Sequence, residues 1–315
     1  MLNVQGTGYL YLEAGGGGNG TRMLVGNMTS GTLNVTASGS IRVEANGTHY
    51  VGGNSALGVL NLSGNGRYSS SNAMTLGSGA SASGVINLNG GVLEVPQLLK
   101  GAGGATLNAN GGILQASAGS ANFLQNVTTN ILAGGLYFST DGHTVTLANV
   151  LSGAGGLTKT GAGTLLLNGE NTYAGDTTVS GGTLEIGNVS ALGARADLSI
   201  ASGALVNLNY SGAIALDSLL LDSSVIGTLT VGQDYNAAQL NTLLGASIFG
   251  GDGLLNVSVI PEPTTFSLLL LAGGGLVLLS LAWRQMIMKT ITKKLIGGLV
   301  GLGCTLGFNA SAQTN

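Results

Sequence analysis

Four short segments decide how this chain folds: Thr32-Leu33-Asn34-Val35, Val59-Leu60-Asn61-Leu62, Val85-Ile86-Asn87-Leu88 and Ala105-Thr106-Leu107-Asn108. Each sets an Asn between apolar residues after a small-residue turn, so one structural unit recurs along the chain. The residues before the four Asn, Leu33, Leu60, Ile86 and Leu107, are separated by 27, 26 and 21. A second run follows in Gly163-Thr164-Leu165-Leu166-Leu167-Asn168-Gly169 and Gly182-Thr183-Leu184-Glu185-Ile186-Gly187-Asn188. The strands alternate with period two, as in Ile41-Arg42-Val43-Glu44, which gives each an apolar face and a polar face. Gly-Gly, Asn-Gly and Ser-Gly pairs between them supply the positive-φ positions of tight turns. No helical period spans a helix-length window before residue 264, so the expected class is all-β.

Many short strands can build a sandwich, a closed barrel or a β-solenoid. Serial, near-equivalent units favour the solenoid, as does an aromatic content of only 4 %. Small side chains stacked coil on coil, with Asn over Asn, supply ladders without a bulky core. At about 25 residues per coil, residues 1–258 would make about ten coils.

Composition narrows the function classes. Of 315 residues 57 are Gly, 7 % are charged and 44 % are apolar. Charge-driven disorder requires the opposite balance, and collagen requires Gly at every third place and far more than 3 Pro. The net charge of -3 argues against nucleic acid as a partner. Residues 1–260 carry six basic and twelve acidic side chains, whereas the last 32 residues carry four basic and no acidic ones. The body is thus mildly acidic and the tail basic and apolar. A single Cys304 gives neither an internal disulfide nor a cysteine-built zinc site.

Leu151-Ser-Gly-Ala-Gly-Gly-Leu157-Thr158-Lys159-Thr160-Gly161-Ala-Gly163-Thr164-Leu165, followed by Asn171-Thr172-Tyr173-Ala-Gly175 and Gly182-Thr183-Leu184, resembles the autotransporter-associated β-strand repeat over residues 151–188. The resemblance implies a right-handed parallel β-helix, exported and displayed on a Gram-negative-type cell surface, with no catalytic residues or cofactor to carry over. The family's outer-membrane barrel of amphipathic strands is not seen in this sequence.

The tail reads differently. Pro261-Glu262-Pro263 precedes an apolar run from Phe266 to Trp283 and then Arg284. A Trp at the water boundary with a cation beyond it suits a membrane-spanning helix. The arrangement resembles a PEP-CTERM sorting signal over 259–285, which implies recognition of Pro261, Glu262, Pro263 and Arg284 by an exosortase-type protease. From Met288 a basic segment with Lys293 and Lys294, an apolar run to Phe308 and Ala310-Ser311-Ala312 read as a secretory leader. Such a leader belongs at an N-terminus, so 286–315 is read as the leader of another protein joined to this one. Met1-Leu2-Asn3-Val4 enters directly into a repeat strand. The expected organisation is β-helix repeats over 1–197, a terminal cap over 198–258, the sorting signal, and hydrophobic helical segments at the C-terminus.

A β-helix can also carry an active site. Glycoside cleavage needs two converging carboxylates, and the best candidates are Glu170 and Asp176 beside Tyr173, and Asp141 near His143. Solvated turn and strand-face positions explain them better than a catalytic pair does. His49 and His143 are 94 apart and neither has a ligand-spaced partner, so no metal site is expected. Neither a Gly-x-Ser-x-Gly elbow nor a Walker Gly-Lys-Ser/Thr is present. The expectation is a non-catalytic, exported, surface or matrix β-solenoid with adhesive or structural use and exopolysaccharide as a partner. It would be membrane-anchored before sorting. The alternatives are a polysaccharide lyase or hydrolase on the same scaffold, or a non-functional gene fragment.

Overall fold

The computed structural model describes residues 2–4, 9–12, 23–26, 28–43, 49–193, 197–226 and 229–257. The C-terminal helical segments, the sorting residues Pro261, Glu262, Pro263 and Arg284, and the leader-like segment all lie outside them.

The repeated Asn segments wind into a parallel β-solenoid. Leu33 pairs with Leu60, Leu60 with Ile86, and Ile86 with Leu107, each in parallel register. Alternation does the rest: Leu60, Ile86 and Leu107 are fully buried while the Asn that follows each points outward and is half-buried. Each buried Leu or Ile contributes about 1.5–3 kcal/mol of transfer free energy. Because every coil repeats this inward set, the core runs as one column up the spool.

The long sheet makes two walls. One holds the Asn segments from Leu2–Val4 through Gly31–Val35 and the first half of Leu57–Ser70 to Leu151–Ser152. The other runs from Tyr9–Leu12 through Ser40–Val43 to Leu157–Thr160, Thr177–Val179, Leu198–Ile200 and Leu219–Leu221. The third wall changes partway. Met23–Val25, His49–Val51, Met74–Leu76, Leu98–Lys100 and Leu124–Gln125 form one sheet, and Thr144–Leu147, Thr164–Leu167, Thr183–Ile186, Leu205–Leu208 and Phe249–Gly251 form the next. A parallel bridge from Ser120 to Val145 and the Phe123 amide donating to the Thr146 carbonyl join the handover.

Coil length is not uniform. Successive Asn in the ladder are 31, 27, 26, 21 and 22 residues apart. Along the ladder the strands pair residue for residue, with one register shift between Gly64 and Arg67, so the differences fall in the corners. Corners also explain the glycines: a Cβ on Gly84 would lie 2.0 Å from the Val51 carbonyl oxygen, where one coil's corner crosses the next.

The expectation of no helix before residue 264 is corrected. Ala237–Leu244 is an α-helix whose N-cap Asn236 accepts from the Gln239 amide while the Gln239 side chain accepts from the Asn236 amide. Its eight residues are too few for a periodicity window, but the Asn-x-x-Gln capping box marks its start. Leu240 and Ala237 are its buried side. Around it the parallel rule also breaks: Ser224–Val225 runs antiparallel to Leu219–Leu221, and Asp234–Asn236 antiparallel to Leu254–Val257. Among the described residues no helix is long and apolar enough to cross a membrane.

Candidate functional site

The outer surface of the first wall is a ladder of amides. The Asn34 Nδ2 donates to Asn3 Oδ1, Asn61 to Asn34, Asn87 to Asn61, Asn108 to Asn87 and Asn130 to Asn108, all at 2.7 to 2.9 Å. Ser152 Oγ ends the series on Asn130 Oδ1 at 3.4 Å. Each amide from Asn34 to Asn130 uses one donor and one acceptor along the ladder and keeps its other hydrogen-bonding capacity for the outside.

The second wall shows a different face. Val92, Ile113, Tyr137, Thr158, Thr178 and Ser199 stand in register on consecutive coils. Tyr137 is 40 % exposed. Arg67, the register partner of Val92, pairs with Glu94 of the neighbouring column, where Gln115 donates to Asp141 Oδ2 at 3.1 Å. A groove of 560 Å³ runs beside these, lined by Ser40, Arg42, Arg67, Ser70, Glu94 and Ser117 among others.

The candidate acids are distributed along the spool. Tyr173 is fully buried and its hydroxyl is 2.6 Å from Thr177 Oγ1, which makes it a core residue. Burial pushes its phenol above the usual tyrosine range. Glu170 is exposed. Asp176, also exposed, accepts through Oδ1 from the Asp197 amide one coil on, and Asp197 Oδ1 in turn accepts from Ser218 Oγ. Stacking thus brings Asp176 to Asp197, a pair that sequence spacing does not show. Each tethers one coil to the next, the work of a turn cap. Asp141 sits at φ 47 in a turn, holding Gln115, and the His143 amide and carbonyl are both bonded within the turn stack.

Two interior residues escape sequence reading. Lys159 lies between Phe138 and Val179 in the core column and is fully buried. Its Nζ donates to the carbonyls of Thr160, Gly161 and Gly181 at 2.8, 2.7 and 3.0 Å. Burial lowers its pKa to about 8. The signal was present: in Leu157-Thr158-Lys159 the alternation already turns Lys159 inward with Leu157. His49 is the other, 1 % exposed, with Nδ1 3.0 Å from the Tyr68 hydroxyl. Burial lowers its pKa as well. Among the described residues no three His, Cys, Asp or Glu gather as a metal cluster.

Comparison with known proteins agrees with this repeat architecture. Residues 157–186 match the Passenger-associated-transport-repeat family, inside the segment read above as an autotransporter-type repeat. "Adhesin BmaC autotransporter" of Brucella suis biovar 1 (strain 1330) is 42 % identical over 121 residues, which is 38 % of this chain and 3 % of that protein. "Extracellular serine protease" of Serratia marcescens is 67 % identical over 39 residues, 12 % of this chain and 4 % of that protein. The chain spans only a few per cent of the length of these curated relatives. No solved structure matches it.

Proposed function

We propose that this chain is an exported, surface-displayed, non-catalytic β-solenoid that serves as an adhesive or matrix-forming scaffold. The observation that carries the reading is the in-register ladder of coils together with the passenger-type repeat at 157–186. Similarity to a protein named as an adhesin supports it. In this reading the connections between parallel strands wind right-handed, and residues 198–258, with their antiparallel strands and helix, cover the open strand edge of the spool.

The partner is an extracellular polysaccharide. The exposed Tyr137 ring, followed in register by Thr158, Thr178 and Ser199, offers a flat apolar patch and then hydroxyls, the mixed chemistry of a sugar face. Pro261, Glu262, Pro263 and Arg284 act as the sorting motif for an exosortase-type protease, which releases the chain from a membrane-anchored stage to the surface. The segment 286–315 is a leader joined from another protein.

A second reading, a polysaccharide lyase or hydrolase, draws on the stacking of Asp176 next to Asp197. Incubating the purified chain with a polysaccharide panel separates the two. Retention on a polysaccharide resin with no chain cleavage supports the scaffold. Cleavage that is lost in Asp176→Asn or Asp197→Asn overturns it.

A further inference from the structure

The residues stacked on either side of His49 are methionines. Met23, His49 and Met74 are register partners on three consecutive coils. All three face the interior, at 8, 1 and 1 % exposure. Strands in adjacent coils lie about 4.8 Å apart, so two flexible thioethers flank one imidazole from the coils before and after it.

The hydrogen-bond contacts of the ring lie on Nδ1. Nδ1 lies 3.0 Å from the Tyr68 hydroxyl and 3.4 Å from Ser70 Oγ. Ser70 Oγ donates its own proton to the Asn72 carbonyl at 3.0 Å, so toward the ring it can only accept. In the tautomer in which Nδ1–H donates to the Tyr68 hydroxyl, Nε2 presents a bare lone pair. Nε2 is buried and has no hydrogen-bond partner. An orphan buried polar atom calls for a reason.

We propose that His49 Nε2 and the thioethers of Met23 and Met74 form a binding site for a soft monovalent cation, Cu(I). One imidazole with two thioethers suits Cu(I), whereas hard cations take oxygen donors. The Nδ1–H bond to Tyr68 and Ser70 is the outer contact that fixes a ligating ring. Ser70, which contacts Nδ1, also lines the 560 Å³ groove, so the ring lies one side chain beneath the surface. The site is independent of the adhesive reading.

The test uses Ag(I), a redox-inert probe for Cu(I), on the full chain. Cys304→Ser is carried in every sample because a thiol would compete. Saturation with Ag(I) is expected to shift the His49 Nε2 nitrogen-15 resonance and to raise the melting temperature. Met23→Leu and Met74→Leu conserve volume and are each expected to weaken Ag(I) binding by about tenfold or more, with an unchanged far-ultraviolet spectrum. Anaerobic Cu(I) should displace the silver. An unmoved His49 resonance at saturation overturns the site, as does an Ag(I) affinity unchanged from the native chain in both Met variants. The resonance is read on a protein with the site intact, so it decides even where a Met variant fails to fold.

Discussion

The Nζ of Lys159 donates to the carbonyl of Gly181, 3.0 Å away on the next coil, although Lys159 occupies a core column otherwise filled by Leu93, Leu114, Phe138 and Val179. A cation thus sits where its neighbours are apolar, and it is tolerated because three turn carbonyls receive its protons.

Stability is therefore expected to rise with pH just above neutrality. The folded pKa of about 8 lies below the unfolded 10.5. Below pH 8 both states hold the proton and the desolvation cost is felt in full. Between 8 and 10.5 the unfolded chain binds more protons, so raising the pH favours folding, by at most about 3 kcal/mol. Urea midpoints at pH 7.5 and 9.5 should increase in the native chain and stay flat in Lys159→Met. Work below pH 10 avoids the buried Tyr68 and Tyr210, whose raised phenol pKa values act in the opposite direction.

Asn87→Ala removes the middle rung of the amide ladder and strands Asn61 Oδ1 and Asn108 Nδ2, each half-buried. A loss of about 1–2 kcal/mol is expected. Chemical denaturation should show it as a lower midpoint with an unchanged slope.

Two glycines should respond to alanine for different reasons. Gly84→Ala drives a Cβ to 2.0 Å from the Val51 carbonyl, so one coil must move off the next. The expected cost is about 3 kcal/mol or more. Gly203 has φ +81 with nothing within 4 Å of the added carbon, so Gly203→Ala meets only backbone strain, about 1–2 kcal/mol. Melting temperatures of the two variants should rank in that order, and the reverse ranking would show that the corner crossing is loose.

Much of the architecture was legible because it is local. The alternation in Val59-Leu60-Asn61-Leu62 decides which side chains face inward, and its repetition in Val85-Ile86-Asn87-Leu88 decides that Asn lies over Asn. The helix Ala237–Leu244 was missed because eight residues carry too little period, while its capping box is a single-site signal. Glu170 and Asp176, and Asp141 with His143, stand out in the sequence by closeness along the chain. The solenoid instead joins residues one coil apart, as with Asp176 and Asp197.

The sequence by itself determined the strands, their inward and outward faces, the all-β class and the repeat, since each follows from a few consecutive side chains. Only the tertiary structure decided which residues become vertical neighbours. That choice depends on corner lengths, which let the ladder step vary from 31 to 21 residues. It set Lys159 under three carbonyls and placed Met23 and Met74 on either side of His49. Contacts across coils are made by register, and register is a property of the whole wound chain.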